Sequence, residues 1–513
     1  MLIFKEIQLL PEIFLGISII YLIIHGTFVS VNTKYLLVQN SVLYLSVLIL
    51  GLFCFLLLNN NIEFNSYLIF NNTIIVDYLG VISKIWIAII SIFCFLMIRT
   101  YLVRQKINFF EYSVLILFAL LGIFFICSSN DLITAYLAIE LQSLSFYMMA
   151  AFKKDSAFSV DAGLKYFVLG AFSSSLFLFG SSILYGVCGT TNFEDLKDLF
   201  SVLYWNYGNI SQVSNDTFVK HIFIDGGLIQ FALVFIFVSL LFKLAVAPFH
   251  LWSLDVYEQS PTSSTFFFAI VPKLGIFILL IRIFYLSFFE YAIKWRYYIV
   301  ILAILSIIIG SFAGLEEKKL KSLLVYSSIS HMGYTLVAFS AGTFEGMQML
   351  FSYLFLYMLG GLCIWSIFLL LPLKSTYTKK QNKDLADLRS LHKANSILAL
   401  FFSTVLLSIA GLPPMIGFLV KIGIFLVAIE TFMYFVATIS ILCSVISTFY
   451  YIRILKLMYF ESSLAGKLYY PIKGYASISV VFLFYLLLFL FINPTLVYLF
   501  SYKIVLLLTM TIV

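Results

Sequence analysis

The sequence predicts an all-α polytopic membrane protein of about fourteen transmembrane helices, with two inverted five-helix repeats and broken seventh and twelfth helices. Three observations predict it. Hydrophobic residues make up 63% of the 513-residue chain and charged ones 11%, with a mean hydropathy of +1.08, a balance that water does not keep in solution. The apolar residues fall in continuous runs of about 20, the length that crosses a ~30 Å hydrocarbon core as a helix. A closed barrel, the other fold that satisfies its backbone in lipid, needs alternating segments of about ten residues. Third, three of the runs hold lysine and proline together, at Lys243 with Pro248, at Pro272 with Lys273, and at Pro413 and Pro414 with Lys421, and the first and last of these are expected to break.

The first three spans, 11–31, 36–58 and 76–98, form an N-terminal segment 1–110. The first run is full-length and has no small-residue cleavage site behind it, so the N-terminus is expected to be retained. Lys84 lies in the third span with Asp77 seven residues earlier on a similar face. A structural and a functional role are both open for it.

Spans 4–8, at 111–128, 131–152, 162–188, 227–247 and 263–286, make the first repeat, 111–286. In "SNDLITAYLAIELQSLSFYMMAAF", Glu140 stands nine residues after Asp131, about 13 Å along a helix and so near mid-membrane. A functional acid is favoured there over a neutral one bonded across a helix interface. Asp131, at the span's edge, suits a helix start. Lys165 has Asp161 at i−4, an interfacial anchor. After the long polar loop 190–225 comes "LLFKLAVAPFHLW", where Pro248 lacks an N–H and crowds the carbonyl of Leu244, breaking the helix just after Lys243. Irregular backbone at that depth is tolerated only if protein buries it or it lines a hydrated cavity. Lys243 is therefore expected to face the interior, with snorkelling as the alternative. His250 and Glu258 lie beyond the break, and His250 is expected to cap freed carbonyls. In "FFFAIVPKLGIFILL", Lys273 follows Pro272 at mid-depth. Arg282, four residues from the span's end, is expected to snorkel to the interface.

Spans 9–13, at 297–315, 322–341, 344–371, 396–429 and 431–452, make the second repeat, 297–452. His331 stands ten residues into the tenth with Ser327, Ser328 and Ser330 nearby. It can relay protons, since histidine titrates closest to neutral pH, or be satisfied by those hydroxyls. The twelfth run, "LLSIAGLPPMIGFLVKIGIFLVAIE" within 34 apolar residues, would be about 51 Å long as one helix, too long for the core unless it breaks at Pro413 and Pro414. For Lys273 and Lys421 the structural alternative is a bond to a freed carbonyl. The fourteenth span, 477–501, opens the C-terminal segment 477–513.

Basic residues orient the chain. The loops after odd-numbered spans hold nineteen Lys and Arg and the other side six, which places both termini outside and the odd loops in the matrix or cytoplasm. The Phe-, Tyr-, Ile- and Asn-rich composition is associated with an AT-biased organellar coding sequence. Six scattered cysteines, Cys54, Cys94, Cys127, Cys188, Cys363 and Cys443, have no ligand spacing and read as small buried hydrophobes.

One acid, three lysines and one histidine thus fall at comparable depth, and chains of such groups suit proton transfer. The predicted row is Glu140, Lys243, Lys273, His331 and Lys421, with Glu140 and Lys243 as a switchable pair. The runs "LLFKLAVAPFHLWSLDVYEQSPTSSTFFFAIVPKLGIF", "LLVYSSISHMGYTLVAFSAG" and "GLPPMIGFLVKIGIF" resemble the antiporter-like membrane subunits of respiratory complex I. The His-Met-Gly-Tyr run and the lysine of the twelfth span are most similar to the subunit N family. The first three spans set the chain apart from the shortened animal form.

The resemblance implies a proton-translocating part of NADH:ubiquinone oxidoreductase that has no redox centre of its own. NADH, FMN, iron–sulfur clusters and ubiquinone belong to other subunits, and the chain has no dinucleotide fingerprint. It further implies that Glu140, Lys243, Lys273 and Lys421 form the transfer path, with His331 matching the histidine of the tenth helix. Partners would be other membrane-arm subunits and lipids, with no nucleic acid. The location would be the mitochondrial inner membrane or, alternatively, a bacterial plasma membrane. Two other readings compete: a subunit of a multisubunit Na⁺/H⁺ antiporter, and a structural membrane-arm spacer. A pure spacer has no reason to keep the cost of mid-membrane charges.

Overall fold

The computed structural model describes residues 7–32, 35–59, 66–105, 107, 109–209, 226–371, 384–461 and 474–512. In chain order the helices are α1 (Leu10–Asn32), α2 (Tyr35–Asn59), α3 (Tyr78–Arg104), α4 (Glu111–Ser128), α5 (Leu132–Ala150), α6 (Ala157–Cys188) and α7 (Phe193–Asn209). They continue with α8 (Gly226–Leu244), α9 (Leu251–Gln259), α10 (Thr262–Ile281), α11 (Ala292–Glu316), α12 (Leu320–Ala341) and α13 (Phe344–Leu370). A 3-10 helix (Leu385–Leu388) and a one-turn helix (Leu391–Ala394) then lead into α14 (Ser396–Ala410), α15 (Ile416–Glu430), α16 (Tyr434–Tyr459), α17 (Gly474–Ile492) and α18 (Thr495–Ile512). A two-stranded antiparallel hairpin, β1 (Tyr67–Ile69) and β2 (Ile74–Val76), precedes α3.

Among the described residues, eleven helices are long and apolar enough to cross a membrane, or twelve if α17 and α18, bent by 83°, make one span. The other two sequence-predicted spans differ for physical reasons. Serines, Lys321 and His331 make α12 too polar, although it has 22 residues and all but Tyr326 are buried. The twelfth run is two helices of 15 residues each, α14 and α15, too short to cross alone.

Side chains cap several of the helix starts. Asp77 accepts from Gly80 N at 3.0 Å to start α3, and Asp131 accepts from Ile133 N at 3.2 Å to start α5, as its place at the span's edge predicted. The loop 190–225 differs from expectation in its first half, where α7 buries Phe193, Leu196 and Phe200 and turns Asp195 and Asp198 outward. Residues 210–225 lie outside the described residues.

Two helices make the centre. Every residue of α10 is buried, because α3, α4, α5, α8 and α13 pack around it. Helix α12 is enclosed by α9, α11, α13, α15 and α16. Both carry predicted site residues, so those polar groups meet protein and not acyl chains.

Candidate functional site

Helix α8 ends one residue after Lys243. Ala245 turns back with φ 58°, its N–H bonding to Phe242 O at 3.0 Å, and the chain resumes helix at Leu251 after Pro248. Trp252 Nε1 also donates to the Phe242 carbonyl, at 2.8 Å. His250 is buried and lies against the Pro248 backbone.

Lys243 Nζ is buried without a hydrogen-bond partner among the described residues, 5.9 Å from the centre of the Tyr147 ring. It faces the interior, as the break predicted. Glu140, half-buried on α5, is the acid whose charge acts on it, and Ser143 Oγ donates to Glu140 Oε2 at 3.3 Å. Tyr147 shares a face of α5 with Ser143 and Glu140, by the i, i+3, i+7 spacing.

From Tyr147 an aromatic stack runs inward. Its ring meets Tyr166 at 4.9 Å, Tyr166 lies flat on Trp252 at 4.7 Å, and Trp252 meets Tyr257 edge-on at 5.9 Å. Pro272 leaves the carbonyl of Phe268 without its helical donor, and Tyr257 OH takes it at 3.3 Å.

One turn on, Lys273 Nζ donates to Tyr357 OH at 2.7 Å, and the same hydroxyl donates to Ala269 O at 3.2 Å. The lysine therefore meets a hydroxyl and not a freed carbonyl, the one that Pro272 frees being taken by Tyr257. The Tyr357 and His331 rings are 5.7 Å apart. His331 Nδ1 lies 2.5 Å from Tyr353 OH and Nε2 3.3 Å from Tyr451 OH. Ser327, Ser328 and Ser330 instead bond back to Leu324 O, Val325 O and Ser327 O of their own helix, so the expected serine partners of His331 are replaced by tyrosines from α13 and α16.

Lys421 completes the cluster from α15. Its Nζ donates to Ala410 O at 2.8 Å, the last carbonyl of α14, and lies 5.4 Å from the centre of the Tyr334 ring. Here the carbonyl contact weighed from sequence is the observed one. A small cavity of ≈ 30 Å³ is lined by His331, Tyr353, Tyr357, Ser408, Gly417 and Lys421, among others. The structure thus brings Lys273, His331 and Lys421 into one cluster and sets Glu140 and Lys243 about Tyr147.

The remaining charges within spans are paired. Arg282 does not snorkel: it is 1% exposed, donates to Asp77 Oδ1 at 2.6 Å, and reaches the Cys127 carbonyl with Nε and Nη2 at 3.1 and 2.9 Å. Arg282 opens the π-helical turn Arg282–Ser287, and α7 packs over that turn. Lys84 pairs with Glu12 at 2.6 Å, and not with Asp77. Lys165 is the exposed anchor expected, bonded to Asp161 at 3.2 Å and also to Asp255 of α9 at 3.1 Å.

Sequence reasoning missed the tyrosines. Nothing marks Tyr147, Tyr334, Tyr353, Tyr357 and Tyr451 among 33, except that Tyr353 and Tyr357 stand four apart and so on one face of α13.

Residues 129–447 match the family described as NADH:quinone oxidoreductase/Mrp antiporter, TM. The chain is 38% identical over 502 residues to NADH-ubiquinone oxidoreductase chain 2 of Marchantia polymorpha, covering 97% of each. It is 38% identical over 453 residues to NADH-quinone oxidoreductase subunit N of Pelagibacter ubique, covering 88% of this chain and 89% of that one. Among solved structures, a chain of respiratory complex I from Thermus thermophilus with bound aureothin superposes with a TM-score of 0.75 at 26% identity, over 95% of this chain and 98% of that one. A chain of the Mrp complex from Dietzia sp. superposes at 0.79 with 16% identity over 97% of both, a likeness of fold alone. By matched length and identity, this chain belongs to the NADH:quinone oxidoreductase/Mrp antiporter transmembrane family, among the subunit N and chain 2 proteins of NADH dehydrogenase.

Proposed function

We propose that the chain is a proton-translocating membrane-arm subunit of NADH:ubiquinone oxidoreductase. It moves protons along Glu140, Lys243, Lys273, His331 and Lys421, while NADH, FMN, iron–sulfur clusters and ubiquinone work in other subunits. One observation carries the reading: Lys273, His331 and Lys421, from three helices, gather around tyrosine side chains, with Lys273 and His331 at tyrosine hydroxyls, Lys421 over the Tyr334 ring, and His331, Tyr357 and Lys421 lining one small cavity. Hydroxyls both accept and donate, so Tyr357 and Tyr353 can pass a proton that the cationic ends alone cannot. Glu140 and Lys243 lie on the far side of the aromatic stack, and their charges switch together.

In this reading the chain has fourteen spans. α8 with α9 and α14 with α15 are its broken seventh and twelfth, broken at Pro248 and at Pro413 and Pro414. The repeats 111–286 and 297–452 are related by inversion, because five spans is an odd number. Segments 1–110 and 477–513 flank them. Neighbouring membrane-arm subunits and lipids are the partners. Chain 2 relatives in plants and subunit N relatives in bacteria support an energy-transducing membrane, with the mitochondrial inner membrane preferred.

The test is Lys243→Ala in the assembled complex. General acid–base groups contribute about 10²–10⁴-fold to a proton-transfer step, so protons moved per NADH oxidised should fall by this chain's whole share. An assembled variant that pumps at the native ratio would leave only the spacer reading.

A further inference from the structure

Helix α10 carries Lys273, and its apolar side chains alone do not decide how deep it sits. Within a bilayer, burial against protein and burial against lipid are nearly equivalent for apolar groups, so polar contacts and close packing set position. Two buried cations hold its ends. Before the helix, Lys321 Nζ donates to Ser260 O at 2.9 Å. At its end, Arg282 donates to Asp77 Oδ1 and to the Cys127 carbonyl. Between them Pro272 removes a backbone bond, so the helix is most compliant beside Lys273.

Asp77 does not belong to the matched region 129–447. Its Oδ1 both caps α3 and receives Arg282, and an added Cβ at Gly80 would stand 2.7 Å from Oδ1 and 3.3 Å from Arg282 Nη2. The space is full. Helix α3 is in turn joined to α1 through Lys84 and Glu12, whose side chains are 2% and 3% exposed.

We propose that Asp77 and Arg282 are positioning residues. The N-terminal three-helix segment braces α10 through this pair, and so sets the distance between Lys273 and the Tyr357 hydroxyl. The inference rests on the reading of Lys273 as a proton carrier.

The test uses the assembled complex with Asp77→Asn, Asp77→Glu, Arg282→Lys, Lys273→Met and the double variant Asp77→Asn/Lys273→Met. A misplacement of about 1 Å costs up to about 10²-fold in a positioned reaction, so Asp77→Asn and Arg282→Lys should lower proton-coupled quinone reduction about tenfold or more. Asp77→Glu should restore most of it. The double variant should match Lys273→Met alone, because the position of an absent lysine no longer matters. Native turnover in Asp77→Asn, a further loss in the double variant, or failure of both Asp77 variants to assemble overturns the clamp. Native turnover in Lys273→Met removes the proton-row reading itself and the clamp with it, whereas an impaired Lys273→Met beside a native Asp77→Asn removes the clamp alone.

Discussion

Tyr357 shows how a single hydroxyl ties Lys273 to the backbone of its own helix. It accepts from the lysine ammonium and donates to the Ala269 carbonyl, with its ring facing His331. Tyr357→Phe keeps the ring and leaves both groups without that partner. A hydrogen bond to a charged group is worth about 1.5–3 kcal/mol, so coupled proton transport should slow roughly tenfold or more while the complex still assembles. Measurement of proton pumping and NADH oxidation on the same vesicles checks this, and an unchanged ratio and rate would remove Tyr357 from the path. At this scale the sequence was only half legible. The cations stood out because charge in an apolar run is conspicuous, but a tyrosine suits a membrane helix whether or not its hydroxyl has work, so the bridging residues carried no mark.

At the scale of elements, the two broken helices differ in where the lysine stands. Lys243 is at the end of the first half-helix of its pair, Lys421 within the second half of its own. Prolines foretold both breaks because a missing N–H is a local fact. How the halves are held was not local: Trp252 closes one break and Lys421 itself closes the other. Gly417 permits the second, since a Cβ there would sit 1.9 Å from the Ser408 carbonyl oxygen, and backbone cannot yield as a side chain can. Gly417→Ala should therefore push α14 and α15 apart, separate Lys421 from Ala410 O, and abolish transport through this chain. Proton pumping by the assembled variant is the measure, and near-native activity would show that this close approach is dispensable.

For the molecule as a whole, buried ion pairs join the N-terminal helices to one another and to the centre. Removing one partner of a buried pair costs about 3–5 kcal/mol, whereas replacing both by apolar groups is often neutral or stabilising. Glu12→Ala should thus lower the thermal stability of the complex clearly, and the double change Glu12→Leu/Lys84→Met should recover most of it. Thermal unfolding of the purified complex distinguishes the two; equal destabilisation by single and double variants would mean that the pair is specifically required. Lys84 had Asp77 as its nearest acid along the chain, but its partner Glu12 is 72 residues away in sequence. Arg282 reaches Asp77 across 205.

The amino-acid order alone determined that the chain lies in a membrane, roughly where its helices run, where two of them break, and which ionisable groups stand within the apolar runs. Each follows from hydrophobic length, proline chemistry or the cost of charge in oil, which are properties of a short segment. Only the tertiary structure decided which charges pair for support and which gather around hydroxyls. That choice depends on which helix faces meet, and apolar faces on many helices are too alike for the sequence to say which will be neighbours.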